Sequence, residues 1–211
     1  MKKLFIGCYN KSVILTYVGV IFAILGMFHV ENITFSIICL IVAGLCDMFD
    51  GKIARMCKRT EQEKEFGVQI DSLCDVISFL ILPIIIFSQI CKAYDCPIPF
   101  VENHEQEILT IISVLYVLAG ITRLAWFNIN VDGTVKDYQG LPVTSISIIL
   151  PIIYLIFQNK PELQLCSMIT MLIVGILFVY NFKVKKLKGI WYPILLILGI
   201  IGCFLFLPHL K

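Results

Sequence analysis

The sequence predicts an all-α fold, a polytopic bundle of membrane helices, and three observations carry that prediction. Of 211 residues, 59% are hydrophobic and only 15% charged, a balance that leaves a water-soluble domain too little polar surface; mean hydropathy is +0.91. The apolar residues come in runs of about 17 to 22, the length that crosses a bilayer. Short polar connectors such as HVEN, QNKPE and KVKKLKG separate the runs.

In order, the N-terminal MKKLFIGCYN has two lysines and a short apolar patch but no small-residue cleavage site, which argues against a signal peptide. The first span runs from about Ser12 to Phe28 and the second from about Ile33 to Asp47, its helix continuing through Arg55. The segment Met56 to Glu65 alternates lysine, arginine and glutamate; it reads most simply as a solvated connector, with lipid headgroup contact as the other reading. A third helix is predicted from near Phe66 through Asp75 into VISFLILPIIIFSQI, where Pro83 predicts a kink or local irregularity. Cys91 to Glu107, with its prolines and acids, reads as an exposed loop. The fourth span covers about Ile108 to Phe127, with Arg123 near its far end. The fifth follows DGTVKDYQGLP to about Phe157, Pro142 at its start and Pro151 bending it. The sixth runs from about Leu165 to Phe182 and the seventh from about Ile190 to Leu207. All belong to one integral-membrane domain, residues 1–211.

Loop charge sets the orientation. With the N-terminus in the cytoplasm, Lys2, Lys3, Lys11, Lys58, Arg59, Lys64, Lys136, Lys183, Lys185, Lys186 and Lys188 lie inside, and only Lys92, Lys160 and Lys211 outside. Nine cysteines are scattered without metal-site spacing. Cys39, Cys46, Cys74, Cys166 and Cys203 fall in apolar helices as small hydrophobes, while Cys91 and Cys96 share the outer loop, where both a pair and two free thiols fit the sequence. Histidines 29, 104 and 209 are isolated, and the sequon Asn32-Ile33-Thr34 lies against a span and reads as a chance match. No nucleic-acid partner is expected.

The chemistry concentrates between Asp47 and Asp75. On a helix Asp47 and Asp50 are spaced i, i+3 and Asp71 and Asp75 are spaced i, i+4, so each pair projects from one face. Two helices joined by a short polar loop are antiparallel neighbours, and the two faces converge. Four carboxylates brought together at a membrane need protonation or cations. All-oxygen ligation suits hard ions such as Mg²⁺ or Mn²⁺, and a shared carboxylate can bridge two of them. Gly51 and Ala54 on the face of Asp47 and Asp50, and Gly67 one turn before Asp71, let backbone and ligand approach closely. Arg55 offers a cationic fork for phosphate, so a diphosphate ester is the expected ligand. Without further context, intramembrane acids also suit a cation path, which makes a divalent-cation transporter the competing class, although no internal repeat is visible.

The residues DMFDGKIAR, an eleven-residue spacer and GVQIDSLCD resemble the signature of the CDP-alcohol phosphatidyltransferase family, D-x-x-D-G-x-x-A-R…G-x-x-x-D-x-x-x-D. All eight positions match: Asp47, Asp50, Gly51, Ala54, Arg55, Gly67, Asp71 and Asp75. The resemblance implies a six-helix core, about residues 10–182, with the span at about 190–207 as an addition. It implies two Mg²⁺ or Mn²⁺ ions on Asp47, Asp50, Asp71 and Asp75, and a CDP-lipid pocket shaped by Asp47, Gly51, Ala54, Arg55, Gly67 and Asp71. It further implies Asp75 as the base and a homodimer in a prokaryotic cell membrane, with the active site at the cytoplasmic face. Gly120 to Asn128, Tyr138 to Pro142 and Asp71 to Phe79 resemble segments typical of the phosphatidylserine synthase branch. That implies CDP-diacylglycerol as donor and L-serine as acceptor, with Arg123 and Asn128 as the candidate serine contacts; another acceptor, or an archaeal ether CDP-lipid donor, is the alternative. Departures from the branch pattern are Trp126 for a second arginine, Thr144 for a proline and Leu80 for a glycine.

Overall fold

The computed structural model describes residues 7–8, 11–94, 98–129, 137–185 and 191–209. Its helices are α1 (Lys11–Phe28), α2 (Ile33–Met56), α3 (Glu61–Asp75), α4 (Leu82–Ala93), α5 (Pro99–Asn103), α6 (Glu105–Ile129), α7 (Ile146–Phe157), α8 (Leu163–Val179) and α9 (Trp191–Phe206). A π-helical turn, Val76–Ile81, joins α3 to α4. Among the described residues three helices are long and apolar enough to cross a membrane, Ile33–Ala54, Glu61–Ala93 and Glu105–Ile129; four shorter apolar ones are Ser12–Phe28, Val143–Phe157, Leu163–Val179 and Ile197–Phe206. Together they correspond to the seven predicted spans.

The core runs through α2, whose Ile37, Leu40 and Ala43 are buried. α2 packs along α1 and also meets α7 and α9, and α6 lies along α8. A Cβ on Gly44 would fall 2.2 Å from Ser147 Oγ, so only glycine lets α2 and α7 come this close. Ile111, Leu115 and Leu118 on α6, and Ile169, Ile173 and Ile176 on α8, are exposed, as lipid-facing stripes should be.

The π-helical turn is the irregularity that Pro83 predicts. Proline has no N–H to give to the carbonyl four residues back, here Phe79, and the Leu82 N–H instead reaches Ile77 O, five residues back. The orphaned Phe79 carbonyl accepts the hydroxyl of Tyr116 at 2.8 Å, so a fully buried tyrosine on α6 completes the backbone of its neighbour.

Several boundaries differ from expectation. α3 starts at Glu61, not near Phe66, because Thr60 and Glu63 form a capping box: the Glu63 N–H donates to Thr60 Oγ1 at 3.3 Å and the Thr60 N–H to Glu63 Oε2 at 2.8 Å. Half of the presumed connector is therefore helical. The outer loop is shorter than expected, since α4 continues to Ala93, α5 forms inside the loop and α6 begins at Glu105. Cys91 is buried at the end of α4; Cys96 lies outside the described residues. Asn32 of the sequon is the N-cap of α2, its side chain accepting from the Phe35 N–H at 2.9 Å.

α8 ends at Val179, before Phe182, because the chain turns extended at Tyr180 into a two-stranded antiparallel ribbon that the sequence reading did not anticipate. Strand β1 (Asp137–Gln139) pairs with β2 (Lys183–Lys185). Gly140 follows with φ +72°, and a Cβ there would lie 2.4 Å from Phe178 O. Its N–H donates to Phe182 O at 2.9 Å and that of Leu141 to Leu177 O at 3.0 Å, which seats the Gln139-Gly140-Leu141-Pro142 segment on the end of α8.

Candidate active site

The last turns of α2 and the stripe of α3 carrying Gly67, Asp71 and Asp75 meet at one end of the bundle. One carboxylate oxygen each from Asp47, Asp71 and Asp75 lies within 4.8 Å of the others. Asp75 is buried, and Asp47 and Asp71 are partly so. Asp50 is not in this trio. It is buried and accepts a hydrogen bond from Thr16 Oγ1 of α1, which fixes its carboxylate from outside the signature.

The other predicted site residues surround the acids unevenly. A Cβ on Gly51 would meet nothing within 4 Å, so open space lies beside it, and Ala54 is partly buried one turn below. Arg55 is on α2, but its side chain lies outside the described part of the structure. Arg123 of α6 is buried, within electrostatic reach of Asp47, with its guanidinium 5.1 Å from the Phe127 ring centre. Asn128 is engaged: its Oδ1 accepts from Ser72 Oγ at 3.0 Å, which ties α6 to α3 beside the acids.

Three convergent carboxylates in a partly buried setting repel one another, and Arg123 is one positive charge against them. An all-oxygen set of this kind fits a hard divalent cation, so Asp47, Asp71 and Asp75 could hold a metal. Sequence reasoning missed two neighbours of the site, Thr16 and Arg59. Thr16 follows Ser12 by one turn in the polar entry of the first helix, a signal that was there to read; Arg59 was hidden in a charged run.

A helical membrane bundle with a carboxylate trio at one end, next to open space, is a frame that suits an integral-membrane enzyme acting on phosphate esters. The model of the CDP-alcohol phosphatidyltransferase family matches residues 10–202, and the chain belongs to that family. Family members take a CDP-lipid donor and an alcohol acceptor, and membership sets the transporter alternative aside. The chain is 29% identical over 194 residues to the CDP-diacylglycerol–serine O-phosphatidyltransferase of Helicobacter pylori, covering 87% of this chain and 75% of the relative. A protein of the same name from Methanocaldococcus jannaschii is 26% identical over 197 residues, 92% of this chain and 84% of the relative. The archaetidylserine synthase of Methanothermobacter thermautotrophicus is 30% identical over 152 residues, 72% of this chain and 58% of the relative.

Proposed function

We propose that the protein transfers the phosphatidyl group of CDP-diacylglycerol to L-serine, giving phosphatidylserine and CMP. The observation that carries the reading is the convergence of Asp47, Asp71 and Asp75 with the buried Arg123 beside them, in a family whose relatives above have serine or archaetidylserine in their names. Mg²⁺ or Mn²⁺, two ions on Asp47, Asp50, Asp71 and Asp75, would supply positive charge for the diphosphate and the departing CMP.

The chain's own residues do the rest. Gly51, Ala54 and Gly67 leave room for the nucleotide, with Arg55 as its phosphate contact. Arg123 takes the serine carboxylate, and Asn128, held by Ser72, borders the same place. Asp75 accepts the proton of the serine hydroxyl as that oxygen bonds to the lipid-side phosphorus and the bond from phosphorus to the CMP oxygen breaks. No covalent enzyme intermediate is needed. The lysine distribution supports a cytoplasmic position for this end of the bundle, and the family resemblance suggests a homodimer in a prokaryotic cell membrane. A second reading keeps serine but takes an ether-linked CDP-lipid as donor, favoured by the archaetidylserine synthase relative.

The test is CMP release by protein purified in detergent, given CDP-diacylglycerol and Mn²⁺ or Mg²⁺, with serine, glycerol 3-phosphate, inositol phosphate or no acceptor. Serine-dependent release that EDTA abolishes is expected. Release with another acceptor alone would overturn the serine assignment, and release untouched by EDTA would overturn the metal's role.

A further inference from the structure

Arg59 stands in the four-residue link between α2 and α3, immediately before the Thr60 cap. An arginine in such a link would ordinarily extend into water. This one folds back: its Nη1 lies 3.4 Å from where a Cβ on Gly67 would be, and its Nε is buried with no hydrogen-bond acceptor. The nearest acids in sequence are already used, Glu61 by Lys64 at 2.7 Å and Glu63 by the Thr60 cap. Among the described residues Arg59 makes no ion pair.

A buried N–H of a guanidinium without an acceptor is costly, and an anion relieves that cost. The place it occupies decides which anion. Gly67, Asp71 and Asp75 form one stripe at i, i+4 and i+8, so Arg59 covers the helix face about 6 Å outward of Asp71. A nucleotide diphosphate whose phosphates meet the acids through cations would extend its outer half along this stripe, where the absent side chain of Gly67 leaves the guanidinium in contact range.

We infer that Arg59 binds a phosphate of the nucleotide half of the CDP-lipid donor, as a contact separate from the family signature and supplied by the eleven-residue spacer. The inference rests on the proposed function. The same guanidinium chemistry suits the phosphate of a bulk lipid headgroup, and the experiment separates the two.

CMP with Mn²⁺ is titrated calorimetrically into wild type, Arg59→Gln and Arg59→Lys in a neutral detergent free of phospholipid, with melting temperatures as folding controls. Arg59→Gln should weaken CMP binding by about tenfold or more, as loss of a charge-assisted phosphate contact does. Arg59→Lys, which keeps the charge but loses the fork, should fall between, and it decides the matter should the glutamine variant not fold. In the transfer assay the KM for CDP-diacylglycerol should rise in step while that for serine stays put. Unchanged CMP affinity in the variants would overturn the inference, as would a defect that appears only when anionic phospholipid is added, which assigns Arg59 to headgroups. Wild type that binds CMP through Arg59 but releases none with serine would sink the serine reading alone; wild type that does not bind CMP would sink both.

Discussion

At the end of the bundle away from the aspartates, polar groups pair with one another. Thr34 Oγ1 meets Tyr154 OH at 3.2 Å, Tyr94 OH donates to the Gln158 carbonyl at 2.5 Å, and Ser36 Oγ donates to the Gly26 carbonyl at 2.7 Å. Thr34, Tyr94 and Tyr154 border an open cavity of about 520 Å³, with Glu31 and Asn32 also in its lining. At the aspartate end the chain brings carboxylate to carboxylate, with the buried Arg123 within electrostatic reach of Asp47. Polarity that is complementary within the chain holds the bundle; polarity that is self-repelling is completed by something the chain does not contain.

That contrast is open to attack from either end. The largest effect is expected for Asp75→Asn, which should lower turnover by about 10² to 10⁴-fold while the melting temperature holds and much of the CMP binding is spared, since the base is lost, repulsion is relieved and the other three acids still serve the metals. Normal turnover in this variant would remove the base assignment. Next, Arg123→Ala should raise the KM for serine by about ten- to a hundredfold and leave that for CDP-diacylglycerol nearly unchanged; equal shifts in both would make Arg123 a structural counter-charge only. Smallest, Tyr154→Phe at the opposite end should cost about 0.5–1.5 kcal/mol in unfolding free energy with unaltered kinetics, because Thr34 loses its partner. A kinetic defect there would show that the two ends are coupled, and the contrast would fail.

Much of the site was legible because its information is local. The spacing of Asp47, Asp50, Asp71 and Asp75 puts them on facing helix stripes, and the continuation of α2 past its apolar part, to Met56, follows from the same periodicity. Where reading failed, the determining contact was distant or disguised. The β1–β2 ribbon joins segments more than forty residues apart, and nothing within either announces the other. Thr16 reaches Asp50 across 34 positions, so the difference between Asp50 and the trio is a tertiary fact. The early start of α3 is another matter: Thr60 and Glu63 spell a capping box, and the charges around them masked it. Arg59 was masked in the same way, as one cation in a run of mixed charge.

The Pro83 irregularity also sets a phase. An α-helix advances about 100° per residue, and the π-helical turn absorbs one residue more than an α-turn does. The rod from Glu61 to Ala93 is thus two gears keyed to one shaft, slipped by roughly one tooth. With the slip, Phe79 is fully buried among apolar neighbours. Tolerance to substitution along this rod should therefore beat with a helical period on each side of the slip, and the two beats should not line up.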